Sequence, residues 1–274
     1  MRFNLRDKSL YYLNSTKYQN SLVSDRHPRY FDWVQTDENI PTFYTYTNFE
    51  ELGSEDDKNA IILESSIIVP DKVEWLYKNH KKFNKIFTHN SFLLDNCANS
   101  FWIPGGGIWI GTEFGGGEIK IHQKSKLCSM FSSDKQMVLL HQFRYELARL
   151  LRDEADVYTG NNNKFIKPSD YLQPYMFSII IENYVDKLYF TEKLLNCFAT
   201  GTIPIYLGAT DIGKMFNEEG ILRFYSIDEF RKHFDNLTEE LYFSKLEAVE
   251  ENFRLCQQFT CVENYMWEKY IGKV

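Results

Sequence analysis

The chain has 274 residues, more than one compact core usually serves, so two globular units of about 100–150 residues each are expected. Apolar residues make up 43% and charged residues 25%, a balance that excludes an intrinsically disordered chain. Lys and Arg number 31 against 38 Asp and Glu, and the net charge of −7 excludes a duplex nucleic-acid binder while leaving room for one or two phosphates in a local pocket. In chain order, the first sixty residues are polar and aromatic, with a strand-like piece at Thr42–Tyr46. Ala60–Leu63 reads as a buried strand closed by Glu64-Ser65-Ser66. Pro70 and Asp71 open a helix with Val73, Leu76 and Tyr77 at helical spacing, and Lys85–Thr88 follows as the next strand. Strand, helix, strand at this spacing is a parallel βαβ pattern.

Residues 104–117 interrupt that pattern with seven glycines besides Pro104, which marks a domain junction or a loop. The glycines do not form a phosphate fingerprint, because neither G-x-G-x-x-G nor a Walker-type lysine is present. Leu127–Ser132 is the next strand. A helix follows whose buried side is expected to carry Leu139, Leu140, Phe143, Leu147, Leu150 and Leu151, with His141, Arg144 and Glu146 facing elsewhere. Val157–Thr159 is a short strand ended by Gly160 and three asparagines. Phe177–Ile181 is an unbroken apolar strand of the kind covered by helices on both faces. A helix from about Phe190 to Ala199 stops at Gly201, and Thr202–Gly208 returns as a strand whose Pro204 favours an edge or strand-start position. Leu241–Tyr270 reads as one long helical pattern.

Five cysteines, an odd count without a C-x-x-C pair, exclude a disulfide framework and a structural zinc site. No run approaches the roughly 18–20 apolar residues of a membrane span, and the amino terminus lacks a signal-peptide core. A reduced, cytoplasmic protein without a membrane span is therefore expected. The Asn-x-Ser/Thr triplets at Asn14 and Asn236 are read as chance matches. The aromatic share of 16% suits large cores and also clefts where rings stack on sugars or bases.

Chemistry concentrates in Ile181–Lys193, from the end of a buried strand into the first turn of the next helix. Ligands of open α/β sheets bind at such strand ends, and a helix N-terminus suits a phosphate. Thr191 is placed to cap the turn. Lys193 stands where the helix dipole favours a carboxylate, which makes sense if an anionic ligand shares the site. Tyr189 shares its face if the helix has begun by then. Taken singly, Glu192 and Lys193 read equally as solvated charges and Asn183 as a turn residue; their joint placement carries the functional reading.

Glu182-Asn183, Tyr189-Phe190-Thr191-Glu192-Lys193, Ala199-Thr200-Gly201-Thr202-Ile203-Pro204-Ile205-Tyr206-Leu207-Gly208 and Ile227-Asp228-Glu229-Phe230 together resemble the donor-binding signature of the family 10 glycosyltransferases, the α1,3/4-fucosyltransferases of soluble bacterial or viral type. The chain departs from the family at Tyr184, where Ser is usual, and at Leu207, where Trp is usual. The resemblance implies an α/β GT-B fold, two Rossmann-like domains facing across a cleft. Residues 1–122 would bind the acceptor, 123–250 the donor, and 251–274 would be a helical tail packing back on the first domain. It implies an inverting, metal-independent sugar transfer, of fucose by that resemblance, from a GDP- or UDP-linked donor to a glycan hydroxyl, with no other cofactor. No D-x-D motif is present to bridge a metal and a pyrophosphate.

By the same resemblance, Lys193 and Arg144 hold the pyrophosphate, Glu192 the ribose, and Asn183 with Tyr189 the rest of the nucleotide sugar. Glu64 takes the position of the catalytic carboxylate, with Glu113 as second candidate. His141, three positions before Arg144, either assists or is structural. Rival readings are the same fold and reaction with another donor such as UDP-xylose, a non-catalytic carbohydrate- or nucleotide-binding protein, and an interaction protein descended from an enzyme.

Overall fold

The computed structural model describes residues 1–8, 21–24, 26–160 and 165–272; the three asparagines after Gly160 and the Asn14 triplet lie outside them. The chain forms two compact units, Met1–Gly107 with Cys261–Val274, and Ile108–Thr260. No helix among the described residues is long and apolar enough to cross a membrane. All five cysteines are buried and unpaired.

The first unit is built on β1 (Arg2–Arg6), β2 (Asp32–Val34), β3 (Thr42–Thr45), β4 (Lys58–Ile62), β5 (Lys85–Thr88) and β6 (Ser100–Trp102). They form one sheet in the order β2-β1-β3-β4-β5-β6, and every neighbouring pair is parallel. α1 (Pro70–Asn79) starts on its proline and crosses from β4 to β5, burying Val73 and Leu76 and leaving Tyr77 exposed. Because side chains alternate along a strand, Tyr44, Ala60, Ile62 and Ile86 meet α1 and α2 (Ser91–Asn96) on one face. The other face carries aromatic rings: Phe3 lies 4.7 Å from Phe31 and 5.2 Å from Phe43, and Phe43 lies 5.9 Å from Phe87. Much of the aromatic surplus therefore fills a core.

The C-terminal segment completes that face. Trp267 packs on Phe3 and Phe31. Buried Glu263 accepts from Leu22 N at 2.6 Å and Trp33 Nε1 at 3.2 Å, and Tyr270 donates to Trp102 O at 2.8 Å. This segment begins at Cys261, later than position 251. The long helix expected over 241–270 is in fact a series of short helices: α7 (Glu239–Ser244), α8 (Leu246–Cys256) and α9 (Val262–Met266). Cys261 is extended, with φ −142° and ψ 122°, so no helix runs through it.

The second unit contains β7 (Lys126–Ser133), β8 (Asp156–Gly160), β9 (Tyr175–Ile181), β10 (Ile203–Leu207) and β11 (Leu222–Arg223). Their order is β11-β10-β9-β7-β8, all parallel, the doubly wound arrangement in which the winding reverses between the first and third strands, here β7 and β9. Every residue of β9 is buried. Pro204 sits near the start of β10, outside the stretch paired with β11. The helices are α3 (Leu139–Leu150), α4 (Pro168–Leu172), α5 (Glu192–Thr200), α6 (Ile227–Phe234), α7 and α8.

The first boundary falls inside the glycine-rich run, at Gly107, rather than at 122. The backbone that follows is tied to α5: the buried Asn196 side chain accepts from Trp109 N at 2.8 Å and Ile110 N at 3.2 Å, and Lys120 N donates to Ala199 O. The other end of the unit extends past 250, because Asn252 on α8 exchanges hydrogen bonds with the backbone of Asn217 at 2.7 and 2.9 Å.

The buried face of α3 differs from expectation. Leu139 and Leu150 are 80% and 68% exposed, whereas His141 and Arg144 are each only 6% exposed. The buried stripe runs His141, Arg144, Leu147, Ala148, Leu151, which is as regular a helical spacing as the leucines offered. Polar groups occupy its first half because that half meets the carboxyl edge of the sheet.

Gly201 ends α5 in the left-handed region at φ 71°, and a Cβ there would stand 2.8 Å from Ile121 Cγ2. Gly201→Ala is expected to lower unfolding free energy by about 1–2 kcal/mol, read from denaturant midpoints, and a change near zero would contradict this account of the cap.

Candidate functional site

In the second unit the site grows from one strand end and one helix start. β9 ends at Ile181, and the next residue, Glu182, is fully buried. Its carboxylate accepts from Thr191 N at 2.9 Å, Thr191 Oγ1 at 2.8 Å and Lys193 Nζ at 3.2 Å. Thr191 is the N-cap of α5, its hydroxyl accepting from Lys193 N, and Glu192 lies in the first turn where the helix dipole favours it. Lys193 Nζ also reaches Thr191 Oγ1 at 2.9 Å and Glu192 Oε1 at 3.1 Å. Burial works against this ammonium, but Glu182 and Glu192 outweigh it and hold its pKa above the ordinary value, so Lys193 is charged. The unfavourable dipole position of Lys193 is thus already answered by two carboxylates of the protein itself.

Arg144 joins the two strands between which the winding reverses. One arm donates to Ile181 O at 3.3 Å, at the end of β9, and another to Ser133 Oγ at 3.2 Å, at the end of β7. Its Nε has no partner among the described residues. Burial draws the Arg144 pKa down, opposed by Glu182 and Glu192, and a guanidinium starts so high that it stays a cation. His141, one turn earlier, has its pKa lowered to about 4 by burial and then by Arg144, Lys193 and Lys135, so its ring is neutral at physiological pH. Arg144, Glu192 and Lys193 therefore share one electrostatic site at the carboxyl edge.

Tyr189 donates to Asn183 Oδ1 at 2.7 Å, and both lie within the loop between β9 and α5. The helix starts at Glu192, so Tyr189 lies ahead of the cap and does not share the helical face of Lys193. Sequence reasoning took Glu182 as part of a motif without assigning it this tie, and it missed Ser133. The strand-terminal position of both was the available signal.

In the first unit, Glu64 stands just beyond β4 and lines a cavity of about 250 Å³ together with Asp7, Thr45, Tyr46 and Gly105. The lining gathers at the carboxyl ends of β1, β3 and β4, and the winding of this sheet reverses between β1 and β3. The Tyr46 phenol has its pKa raised by burial and then by the charges of Glu64 and Asp7, which places both carboxylates in its surroundings. Asp7, only 7% exposed, and Tyr46 were not among the sequence candidates; β1 was not recognised as a strand, so its end could not be. Glu113 belongs to the second unit, on an exposed turn between Gly111 and Gly115, and does not line this cavity.

The two sheets, each wound about a reversal point with polar and charged side chains at the carboxyl edge, place the chain in the α/β GT-B class of glycosyltransferase folds. Solved structures support this. An α1,3-fucosyltransferase superposes with a TM-score of 0.54 at 13% identity, over 94% of this chain and 89% of that one. The same kind of enzyme with GDP gives 0.54 at 12%, over 96% and 91%. The pneumococcal O-GlcNAc transferase GtfA, in complex with UDP and GlcNAc, gives 0.55 at 13%, over 85% of this chain and 56% of that one. More specifically, residues 121–271, over half the chain, match glycosyltransferase family 10 (fucosyltransferase), C-terminal part, and the chain belongs to that family. The α-(1,3)-fucosyltransferase FucT of Helicobacter pylori is 30% identical over 67 residues, a stretch of 24% of this chain that spans 14% of the length of that relative.

The neutral His141 gives a stability signature. A base whose folded pKa is about 4 against 6.5 leaves the unfolded state binding more protons between those values. Its contribution is complete above pH 6.5 and is lost as pH falls through 4. Unfolding free energy should therefore drop over that window, and less steeply in His141→Asn, as measured by denaturant titration at a series of pH values.

Proposed function

We propose that the protein is an inverting glycosyltransferase that moves fucose from a GDP-linked donor to a hydroxyl of a glycan acceptor, with the second unit holding the donor and the first unit the acceptor. The observation that carries this reading is Arg144, buried across the ends of β7 and β9 in the same electrostatic site as Lys193 and Glu192. Two cations at the reversal point of a doubly wound sheet suit a diphosphate. The family match and the likeness to a fucosyltransferase with GDP support the choice of donor.

In the proposed step the acceptor oxygen forms a bond to the anomeric carbon as the bond from that carbon to the phosphate oxygen breaks on the opposite side. Glu64 takes the acceptor proton, and the departing electron pair stays on the diphosphate. Arg144 and Lys193 stabilise that growing charge, the type of contribution whose removal costs roughly 10²–10³ in rate. Glu192 receives the ribose hydroxyls, and the Asn183–Tyr189 pair borders the rest of the nucleotide sugar. No step of the proposal is assigned to a metal; the two side-chain cations fill that role.

The test is nucleoside diphosphate release from GDP-fucose, UDP-xylose and UDP-GlcNAc, with and without glycan acceptors. GDP-fucose should be turned over best. Lys193→Ala and Arg144→Lys should lose roughly 10²–10³ in turnover. Glu64→Gln should keep GDP affinity while turnover falls by about 10² or more. Unchanged turnover in Glu64→Gln would remove that residue from the mechanism. Tight GDP binding with no transfer to any acceptor would replace the enzyme by a binding protein.

A further inference from the structure

The second unit leaves two buried polar atoms of α3 unanswered. Arg144 Nε and His141 Nδ1 have no hydrogen-bond partner among the described residues, and each side chain is 6% exposed. Buried polar groups in folded proteins are almost always paired, so two orphans one turn apart on one helical face call for a cause. The neighbouring structure does not supply it. The other Arg144 nitrogens are taken by Ser133 and Ile181, and the two carboxylates of the same electrostatic site, Glu182 and Glu192, are engaged by Thr191 and Lys193.

The same end of α3 carries two more features that favour an anion. The twelve-residue helix begins at Leu139, after Val138, whose side chain makes no cap hydrogen bond; the His141 and Gln142 N–H groups donate to Val138 O, and the helix dipole there favours an anion. The charges that face the ring are cationic: Arg144 from its own helix, Lys135 from the preceding loop and Lys193 from α5, the last offset by Glu182 and Glu192. A ring kept neutral in such company retains one N–H, which can sit on Nδ1.

We propose that His141 is a donor-binding residue, its Nδ1–H hydrogen-bonding a phosphate oxygen of the nucleoside diphosphate beside Arg144 Nε and the uncapped start of α3. The ligand class is a diphosphate ester, and the inference rests on the donor-transfer reading above. It deepens that reading by giving the phosphates a neutral donor in addition to the two cations. Such a contact fixes orientation without adding charge that the departing product would have to break.

The experiment is calorimetric titration of the full chain with GDP and, separately, with inorganic pyrophosphate. The variants are His141→Ala, His141→Asn and His141→Gln, with Lys193→Ala as control. An asparagine amide comes nearest to the place of Nδ1 and a glutamine amide to that of Nε2. His141→Ala and His141→Gln should weaken both ligands about tenfold, and His141→Asn should stay near wild type. A merely structural histidine would change the melting temperature without separating Asn from Gln in affinity.

Equal affinities across the three variants, rescue by Gln instead of Asn, or a loss confined to GDP would each overturn the contact. If wild type and Lys193→Ala differ while the His141 variants do not, this inference fails and the donor reading stands. If wild type binds neither ligand, both fail. Should the substitutions unfold the chain, the ¹⁵N resonance of the wild-type His141 Nδ1 decides: a shift on adding GDP supports the contact, and no shift overturns it.

Discussion

The second unit depends on one buried carboxylate. Removing a charge from water is costly unless it is paired and hydrogen-bonded, and Glu182 is fully buried. It is tolerated because Thr191 satisfies it with both backbone and hydroxyl and Lys193 supplies the opposite charge. Those three residues bind the end of β9 to the start of α5, so the position of the helix and the position of the charge cannot vary separately. The lysine, disfavoured by the helix dipole at that turn, is held there by the strand it faces. For the proposed diphosphate donor, this arrangement gives the site pre-organisation.

Each unit separately uses the same geometric device. In an open parallel sheet the crevice lies where the winding reverses, outside the carboxyl ends of the strands. In the second unit those ends carry Ser133 and Ile181, bridged through Arg144, with Glu182 following Ile181 and bonded to Thr191. In the first they carry Asp7, Tyr46 and Glu64 around a cavity of about 250 Å³, just under the roughly 300–1,000 Å³ of pockets that take drug-sized ligands. The aromatic layer behind the first sheet, closed by Trp267 and Tyr270, gives those strand ends a rigid base.

Much of the fold was legible because it is written locally. β4, β5, β7, β9 and β10 are apolar runs bounded by polar or turn residues, and α5 carries its own cap, acidic first turn and terminal glycine. β1 escaped because Arg2, Asn4 and Arg6 alternate with Phe3 and Leu5 and suggest a solvated edge, whereas Asn4 is buried and bonded to Thr36 and Thr42. The tail read as one helix because its apolar spacing is helical throughout; the break at Cys261 comes where the chain passes from one unit to the other.

Sequence alone determined the strand–loop–helix–strand that presents Asn183, Tyr189, Glu192 and Lys193, since capping, dipole and glycine effects act over a few residues, and the family resemblance rests on that stretch. Only the tertiary structure decided which side of α3 is buried. A leucine stripe and a His–Arg stripe were both available, and the second was chosen because the strand ends offer a hydroxyl and a carbonyl to a guanidinium, something no local spacing encodes. Likewise Asp7 and Glu64 lie far apart in the chain and share a cavity because parallel pairing brings the ends of β1, β3 and β4 level. Local chemistry is fixed by neighbours in sequence, and the partners of buried polar groups are fixed by which edges the fold brings together.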